Sequence, residues 1–248
     1  MNFKLKAFIK KIIPNYILLL RLKLINKKKG INNSDLKELF TSIYSKSMWN
    51  KKNDASEPFY SGIGSRDIDT VNNYKNKIEI FLKSLNQELK IVDLGCGDFY
   101  VHSDLVYLSK SYYAVDIVKE LIEFNKKKYS NLNVEFINLD ITKDKLPEGN
   151  IILIREVLQH LSNHNIKNVL KNIKKNNYHY LIITEVLPLE DNFIANKEFV
   201  DGPHTRTSYL ESAVDVSKNP FNLKYKTQKK ILDVKRKDSR LVTTIYEF

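Results

Sequence analysis

Two closely spaced glycines between two aspartates are the first residues of this chain that could bind a ligand. The stretch Asp93-Leu-Gly-Cys-Gly-Asp98 continues a short apolar segment, Lys90–Asp93, that predicts a β-strand. Glycine permits a tight turn and a close approach of a ligand to the backbone. A phosphate would need a loop without adjacent negative charge, and the third glycine of the dinucleotide fingerprint is absent. The turn therefore favours a ligand with positive charge.

Two more aspartates follow the next two predicted strands. Asp116 lies 23 residues after Asp93 and ends the strand Tyr112–Val115, and Asp140 follows the strand Val134–Asn138. A carboxylate at such a position can accept two ribose hydroxyls or an adenine amino group. Each acid alone could equally be a helix cap or a turn residue. Three acids at three successive strand ends, in this order, indicate a binding site.

Strands and helices alternate over most of the chain, which predicts a parallel sheet with helices on both faces. The continuous apolar run Ile151–Ile154 is typical of a strand that is covered on both faces. The β-rich segments Leu223–Val234 and Leu241–Tyr246 predict an antiparallel hairpin that closes the sheet. A further strand is predicted over residues 180–185. Helices are predicted over residues 35–46, 71–85, 103–108, 119–128 and 166–173, with Ser34 and Asn163 as helix caps.

The net charge of +12 is concentrated at the N-terminus, because residues 1–30 hold nine basic side chains and no acid. The remaining +3 does not predict a nucleic-acid-binding face. The clean apolar stretch Tyr16–Leu20 is far shorter than the roughly 20 residues that cross a bilayer, and a signal peptide is not predicted. Two interpretations stay open: a helix that lies on an anionic membrane, or one that packs on the domain. Packing would use Ile12, Ile13, Ile17, Leu18 and Leu20.

These patterns predict three segments: a basic amphipathic segment over 1–30, a helical and lid extension over 31–75, and one domain over 76–248. The single cysteine, Cys96, excludes an internal disulfide. It favours a reducing, cytoplasmic location, and the basic N-terminus is compatible with the inner face of the membrane.

The stretch Ile91–Asp98 resembles motif I of the class I methyltransferases that depend on S-adenosylmethionine (SAM). The similarity extends over about residues 76–187 and into the C-terminal hairpin. It implies a Rossmann-like, seven-stranded, mostly parallel sheet whose last strand is antiparallel. It also implies SAM as methyl donor, with S-adenosylhomocysteine as product. The implied cofactor contacts are Asp93, Gly95, Cys96, Gly97, Asp98, Asp116, Ile117, Asp140, Ile141, Arg155 and Glu156.

The segment Ile154–Ser162 resembles the Arg-Asp-x-x-x-His-Leu-Ser pattern of phosphoethanolamine methyltransferases, with Glu156 in place of the aspartate. The resemblance implies that His160 is the general base, because an imidazole with a pKa of about 6.5 can take a proton near neutral pH. A structural hydrogen bond is the alternative role for His160. The pair His160 and His164 has the spacing of two metal ligands on a helix, but the sequence offers no third ligand, and no metal is expected.

The loop Phe59–Arg66 resembles the Tyr-, Ser- and Gly-rich segment that closes over the methyl donor in the same relatives. The resemblance implies Tyr60 as partner of His160 and Arg66 as a contact for an anionic part of the acceptor. The full set of expected acceptor contacts is Tyr44, Ser61, Arg66, His204 and Arg206.

The pattern from Tyr44 to Arg66 also resembles small bacterial methyltransferases found with capsule and surface-polysaccharide genes. It implies O-methylation of a small-molecule acceptor: a sugar, a sugar nucleotide or a phosphoryl-bearing glycan precursor. Methylation of nucleic acid is not expected, because Arg155–Leu158 replaces the Asn/Asp-Pro-Pro-aromatic motif and Cys96 lies in the cofactor loop. The alternatives are N-methylation of a phosphobase and a SAM-binding regulator without catalysis. The oligomeric state is not predicted.

Overall fold

One seven-stranded sheet organises the protein, in a computed structural model that describes residues 15–28, 35–49 and 58–248. The strand order is β3-β2-β1-β4-β5-β7-β6, and β7 is antiparallel to both of its neighbours, whereas the other pairs are parallel. This confirms the Rossmann-like fold with an antiparallel last strand. The strands are β1 Lys90–Leu94, β2 Ser111–Asp116, β3 Glu135–Asn138, β4 Ile151–Arg155, β5 Tyr180–Leu187, β6 Thr227–Lys235 and β7 Arg240–Glu247.

Helices cover both faces of the sheet and form two hydrophobic cores. On one face, α3 contributes Tyr74, Ile78 and Leu82; on the other, α5 contributes Ile166 and Val169. Every residue of β4 is buried, as its unbroken apolar run predicted. The helices are α1 Asn15–Lys28, α2 Leu36–Ser45, α3 Ile68–Ser84, α4 Lys119–Lys128, α5 Asn163–Ile173 and α6 Arg206–Leu210, with 3₁₀ turns at Ile63–Ser65, Ser103–Leu108 and Leu158–His160.

The strand order reverses between β1 and β4. After β1 the chain pairs β2 and then β3 on one side, and it returns to place β4 on the other side of β1. The loops that follow β1 and β4 therefore diverge and leave a crevice at the carboxyl ends of these strands. Most of the predicted cofactor contacts lie at the carboxyl ends of strands or just after them, so the topology alone brings them towards this crevice.

Two helix caps lie one residue away from the positions that the sequence predicts. Ser34 lies outside the described residues, and Asp35 caps α2 by accepting hydrogen bonds from the N–H groups of Lys37 and Glu38. Ser162, rather than Asn163, caps α5. The Asn163 side chain instead donates to the Asn196 carbonyl, 2.8 Å away. Both caps remain within the residue types that satisfy the first N–H groups of a helix.

The N-terminal helix α1 packs on the domain along a narrow stripe. Leu18 and Leu22 are buried against a cluster with Phe199, Val200 and Leu210. The predicted packing contacts of Ile17 and Leu20 are wrong, since these side chains are 42% and 55% exposed. Ile12 and Ile13, the other two predicted contacts, lie outside the described residues. Within the described ranges, no helix is long and apolar enough to cross a membrane.

Candidate active site

A cavity of about 970 Å³, including the open space at its mouth, lies at the carboxyl ends of β1, β2 and β4. Its walls are Gly95–Asp98, Asp116–Ile117, Asp140–Thr142 and Arg155–Val157, and residues of α2 and the neighbouring loop cover it.

The glycine turn after β1 can be made only by residues without a side chain. Gly95 and Gly97 have φ angles of +77° and +56°, which lie in the left-handed region. A Cβ on Gly95 would come within 2.6 Å of Val157 Cγ2, and a Cβ on Gly97 would overlap Ser61 Oγ. The turn therefore packs directly against the loop after β4 on one side. On the other side it packs against the loop Phe59–Arg66, here called the lid loop.

Asp116, at the end of β2, faces the cavity with a buried carboxylate. Its two oxygens accept hydrogen bonds from Gly97 N at 3.1 Å and Val118 N at 3.0 Å. Burial raises the pKa of this carboxyl to about 6, because the charged form loses water. Each oxygen keeps a second lone pair, so the group can still accept hydroxyls from a ligand.

Asp93 lies behind the cavity wall rather than in it, which corrects its expected ligand contact. Its Oδ2 accepts from His102 Nδ1 at 2.7 Å and from the Tyr112 hydroxyl at 3.3 Å. His102 in turn contacts the Tyr74 hydroxyl through Nε2, at 2.8 Å. His102 lines the cavity in place of Asp93. Its position just after motif I was the available signal, but only the structure pairs it with Asp93.

Asp98 fastens the lid loop over the glycine turn. Its Oδ2 accepts from Ser61 N and from Arg66 Nη2, each at 2.9 Å. The N–H of Asp98 donates to Ser61 Oγ at 2.8 Å, and this oxygen lies 3.0 Å from the Tyr44 hydroxyl. Tyr44 and Ser61, which the sequence predicts as acceptor contacts, thus meet the glycine turn, and both line the cavity. Arg66 is paired with Asp98 and stacks 4.0 Å from the Tyr100 ring, away from the cavity lining.

The remaining predicted cofactor contacts line the cavity, although some of their polar atoms already have partners. Asp140 Oδ1 accepts from Thr142 N at 2.9 Å and from Thr142 Oγ1 at 2.7 Å, which is the turn role left open by the sequence. Ile117 and Ile141 supply apolar wall, and Cys96 lies between the two glycines. Burial raises the pKa of the Cys96 thiol well above its usual value, so this thiol is not an activated nucleophile.

Glu156, directly after β4, is held in a strained conformation by two arginines. Its φ angle is +56°, in the left-handed region that non-glycine residues seldom adopt. Its Oε1 lies 3.0 Å from Arg155 Nη2 and 3.4 Å from Arg236 Nη2. Burial opposes the negative charge, but the two guanidinium groups keep the pKa of Glu156 below its ordinary value. No sequence pattern indicated Arg236, because it lies on the distant β6–β7 turn.

His160 presents one ring nitrogen with a lone pair near the cavity. Nδ1 is 3.1 Å from the Gly202 carbonyl oxygen, which can only accept, so the proton of the neutral ring lies on Nδ1. Burial lowers the pKa of His160 to about 4, and the ring is therefore neutral at pH 7. Nε2 carries the lone pair, and the Gln159 side-chain amide lies 3.4 Å from it.

Trp49, rather than Tyr60, is the aromatic neighbour of His160. The two ring centroids are 5.1 Å apart, and the indole N–H donates to the Pro203 carbonyl at 3.2 Å. Tyr60 is not part of the cavity lining, and its ring lies 5.2 Å from the Arg66 guanidinium. Sequence reasoning missed Trp49 although it is the only tryptophan of the chain and precedes the predicted lid.

Arg206 and His204 do not line the cavity, in contrast to their expected role. Arg206 is fully buried and donates to the Leu158 carbonyl at 3.3 Å and to Asn163 Oδ1 at 2.8 Å. The His204 ring packs on Tyr209, with centroids 4.9 Å apart. Arg206 thus holds the segment that carries His160 rather than a substrate.

Glu185 also holds the 3₁₀ turn Leu158–His160. Its Oε1 accepts from Leu158 N at 3.1 Å. Burial raises the pKa of Glu185 to about 8. Arg206 and Glu185 therefore fix the carbonyl and the N–H of one residue, Leu158, two positions before His160.

No group of three or more histidine, cysteine, aspartate or glutamate side chains suited to a metal occurs within the described ranges. His164, the second member of the histidine pair, is exposed, and its Nε2 lies 3.2 Å from the Asn168 amide.

The replacement Gly97→Ala is expected to displace the lid. The new methyl group would overlap Ser61 Oγ and come within 3.4 Å of the Tyr44 hydroxyl. Because Tyr44 packs edge-on against Trp49, quenching of the single tryptophan by acrylamide should increase. Gly62→Ala is the matched control, since Gly62 also has a positive φ of +94° but a Cβ there meets only Trp49 Cβ at 4.0 Å. Equal quenching in Gly97→Ala and the parent would contradict the close contact.

Glu185→Gln is expected to remove a pH dependence of stability. The folded-state pKa of about 8 exceeds the ordinary glutamate pKa of 4.5, so the parent loses stability as pH rises from 4.5 to about 8. Glutamine keeps the acceptor for Leu158 N without the charge. The Tm of Glu185→Gln minus that of the parent should therefore increase between pH 5 and pH 8. The exposed control Glu190→Gln should show no such trend, and a flat difference for Glu185→Gln would refute the buried-acid assignment.

Comparisons with known proteins agree with this fold. A family model described as a methyltransferase domain matches residues 91–176. No curated protein matches the chain significantly. The N-methyltransferase NodS from Bradyrhizobium japonicum WM9, solved with S-adenosylhomocysteine, is 12% identical with a TM-score of 0.52, over 72% of this chain and 87% of NodS. The magnesium protoporphyrin IX methyltransferase ChlM from Synechocystis PCC 6803, solved with SAM, is also 12% identical, with a TM-score of 0.54 over 87% of this chain and all of that one. The chain thus has the Rossmann-like fold of the class I methyltransferases, with a methyltransferase-domain match over residues 91–176.

Proposed function

We propose that this protein transfers a methyl group from SAM to a hydroxyl of a small-molecule acceptor, with S-adenosylhomocysteine as the second product. The observation that carries the proposal is the position of His160. His160 lines the same cavity that contains the glycine turn and Asp116, and the Gly202 carbonyl holds the proton of its neutral ring on Nδ1. A binding protein without catalysis would need the turn and the carboxylate but not a neutral imidazole beside them.

The residues of the cavity fit SAM. Gly95 and Gly97 line the cavity, so the backbone of the turn can contact a ligand there. Asp116 offers lone pairs for two ribose hydroxyls, and Ile117 and Ile141 offer apolar surface for an adenine ring. When bound, SAM supplies a methyl group that its sulfonium charge already activates.

His160 would orient the acceptor and receive its proton. Nε2 can accept a hydrogen bond from a hydroxyl, while the Gly202 carbonyl holds the ring in the required tautomer. A pKa of about 4 makes the ring a weak base, so alignment of the hydroxyl contributes more than proton affinity before the oxygen is methylated. The lid that Asp98 fastens excludes water from this reaction.

We propose a sugar, a sugar nucleotide or a related surface-polysaccharide precursor as the acceptor. The Trp49 ring beside His160 offers an aromatic face on which the apolar side of a sugar can pack. Among the described residues, the arginines nearest the cavity are already paired with carboxylates: Arg66 with Asp98, and Arg155 and Arg236 with Glu156. This pairing favours a neutral hydroxylated group, such as a sugar ring, as the part of the acceptor bound beside His160, and it disfavours a phosphobase.

Asp116→Ala is expected to weaken SAM binding. Two charge-assisted hydrogen bonds to hydroxyls are lost, and at about 1.5–3 kcal/mol each the Kd should rise by about a hundredfold or more. Isothermal titration at pH 8 measures it, with the exposed Asp104→Ala as control. In the parent, affinity should fall as pH drops through about 6, because the protonated carboxyl of Asp116 loses acceptor strength. An unchanged Kd in Asp116→Ala would remove the cofactor site from this crevice.

His160→Gln is expected to reduce kcat by about 10²–10⁴-fold while the Kd for SAM stays the same. Labelled SAM and a panel of sugars, sugar nucleotides and phosphobases would measure transfer. At saturating SAM the parent kcat should stay level from pH 8 down to pH 6, because the pKa of His160 is about 4. His164→Gln, on the exposed face of α5, is the control. Full turnover in His160→Gln would exclude the base, and SAM binding without transfer to any acceptor would favour a regulator.

A further inference from the structure

The outer face of α1 carries a row of exposed apolar side chains. Tyr16, Leu20 and Leu24 recur every fourth residue and are 64%, 55% and 59% exposed, and Ile17 beside them is 42% exposed. Residues at this spacing lie on one side of an α-helix. The row therefore forms a continuous apolar strip that no described part of the domain covers.

This strip lies opposite the side of α1 that packs on the domain. Leu18, Leu22 and Asn26 are buried, and at about 100° per residue their mean direction is about 180° from that of the exposed strip. Both sides of α1 are therefore apolar. The buried side is sufficient to pack the helix on the domain, so this packing does not explain why the exposed strip is apolar.

Exposed basic side chains border the outer strip on both edges. Arg21 and Lys28 lie along one edge, and Lys23 and Lys27 lie along the other. The helix contains no acidic residue. An apolar strip between two basic edges has the pattern of helices that lie in the interface of an anionic bilayer. Lysine and arginine stems can lie along the apolar layer while their charges reach the lipid headgroups.

We propose that the outer face of α1, defined by Tyr16, Ile17, Leu20 and Leu24 with its basic edges, docks on an anionic membrane surface. Charge complementarity selects this occupant. A second copy packed through the same face would oppose basic edges with basic edges, and like charges repel at such contacts. An uncharged lipid surface would leave the four cations without a partner.

The docked helix connects directly to the loop that holds His160. Asn26 Nδ2 donates to the Asp201 carbonyl at 3.5 Å, and the next residue, Gly202, accepts from His160. Phe199 and Val200 of the same loop pack on the inner face of α1. Docking would thus bring the His160 side of the cavity near the bilayer surface, but binding to the membrane requires neither SAM nor turnover.

Sedimentation of the full chain with vesicles tests the proposal. Vesicles of phosphatidylcholine with phosphatidylglycerol should bind the protein, and vesicles of phosphatidylcholine alone should bind it at least about tenfold more weakly. The variant Leu20→Gln with Leu24→Gln should lose about tenfold in affinity for the anionic vesicles. The control Ile68→Gln with Ile80→Gln, which changes exposed apolar residues of α3, should bind like the parent.

A second variant tests the charges. Replacement of Arg21, Lys23, Lys27 and Lys28 by glutamine should weaken anionic binding at least about tenfold, whereas replacement of Lys119, Lys127, Lys171 and Lys174 should not. Equal binding of the α1 variants and the parent would overturn the proposal. So would a concentration-dependent dimer of the parent that Leu20→Gln with Leu24→Gln abolishes. Because SAM titration is measured without vesicles, failure of the membrane proposal and failure of the proposed function give separate results.

Discussion

The site depends on how the protein holds several carboxylates in a crevice with little water. Burying an ionised carboxylate is costly unless hydrogen bonds or a cation stabilise it. Asp93 is held by His102, Asp98 by Arg66, and Glu156 by Arg155 and Arg236. Asp116 is held by two backbone N–H groups, and burial raises its pKa to about 6. Of these carboxylates, Asp116 therefore has the most to gain from hydroxyl groups of a ligand.

The partners of these carboxylates also join separate parts of the chain. Arg66 comes from the lid loop, His102 from the loop that leads into the 3₁₀ turn Ser103–Leu108, and Arg236 from the β6–β7 turn. Each ion pair or hydrogen bond thus compensates a charge and fixes a loop at the same time. The strained backbone at Glu156 fits this arrangement, because two arginines hold its side chain in place.

Structural and reactive groups are also close together around His160. Glu185 and Arg206 are both buried, and they hold the turn from within the domain. Gly202 holds the imidazole itself, and its loop rests on α1. The orientation of one ring therefore depends on packing that extends to the N-terminal helix.

The sequence determined the order of the elements and the strand ends at which ligand-binding residues must lie. Hydrophobic patterns place β1, β2, β3, β4 and β5 within about two residues, because burial imposes the spacing locally. The glycine turn and Asp116 could be predicted for the same reason, since they follow strands whose ends meet at one edge of a parallel sheet.

Only the tertiary structure decided which partner each polar residue takes. Asp93 turns inward to His102, Arg206 is buried under the His160 turn, and Trp49 occupies the place expected for Tyr60. Such pairings join residues far apart in the chain, and the side chain alone does not reveal whether it faces a cavity or a neighbouring loop. Periodicity likewise finds apolar positions on α1 but not which of its two apolar sides is covered, because that depends on the surface against which the helix packs.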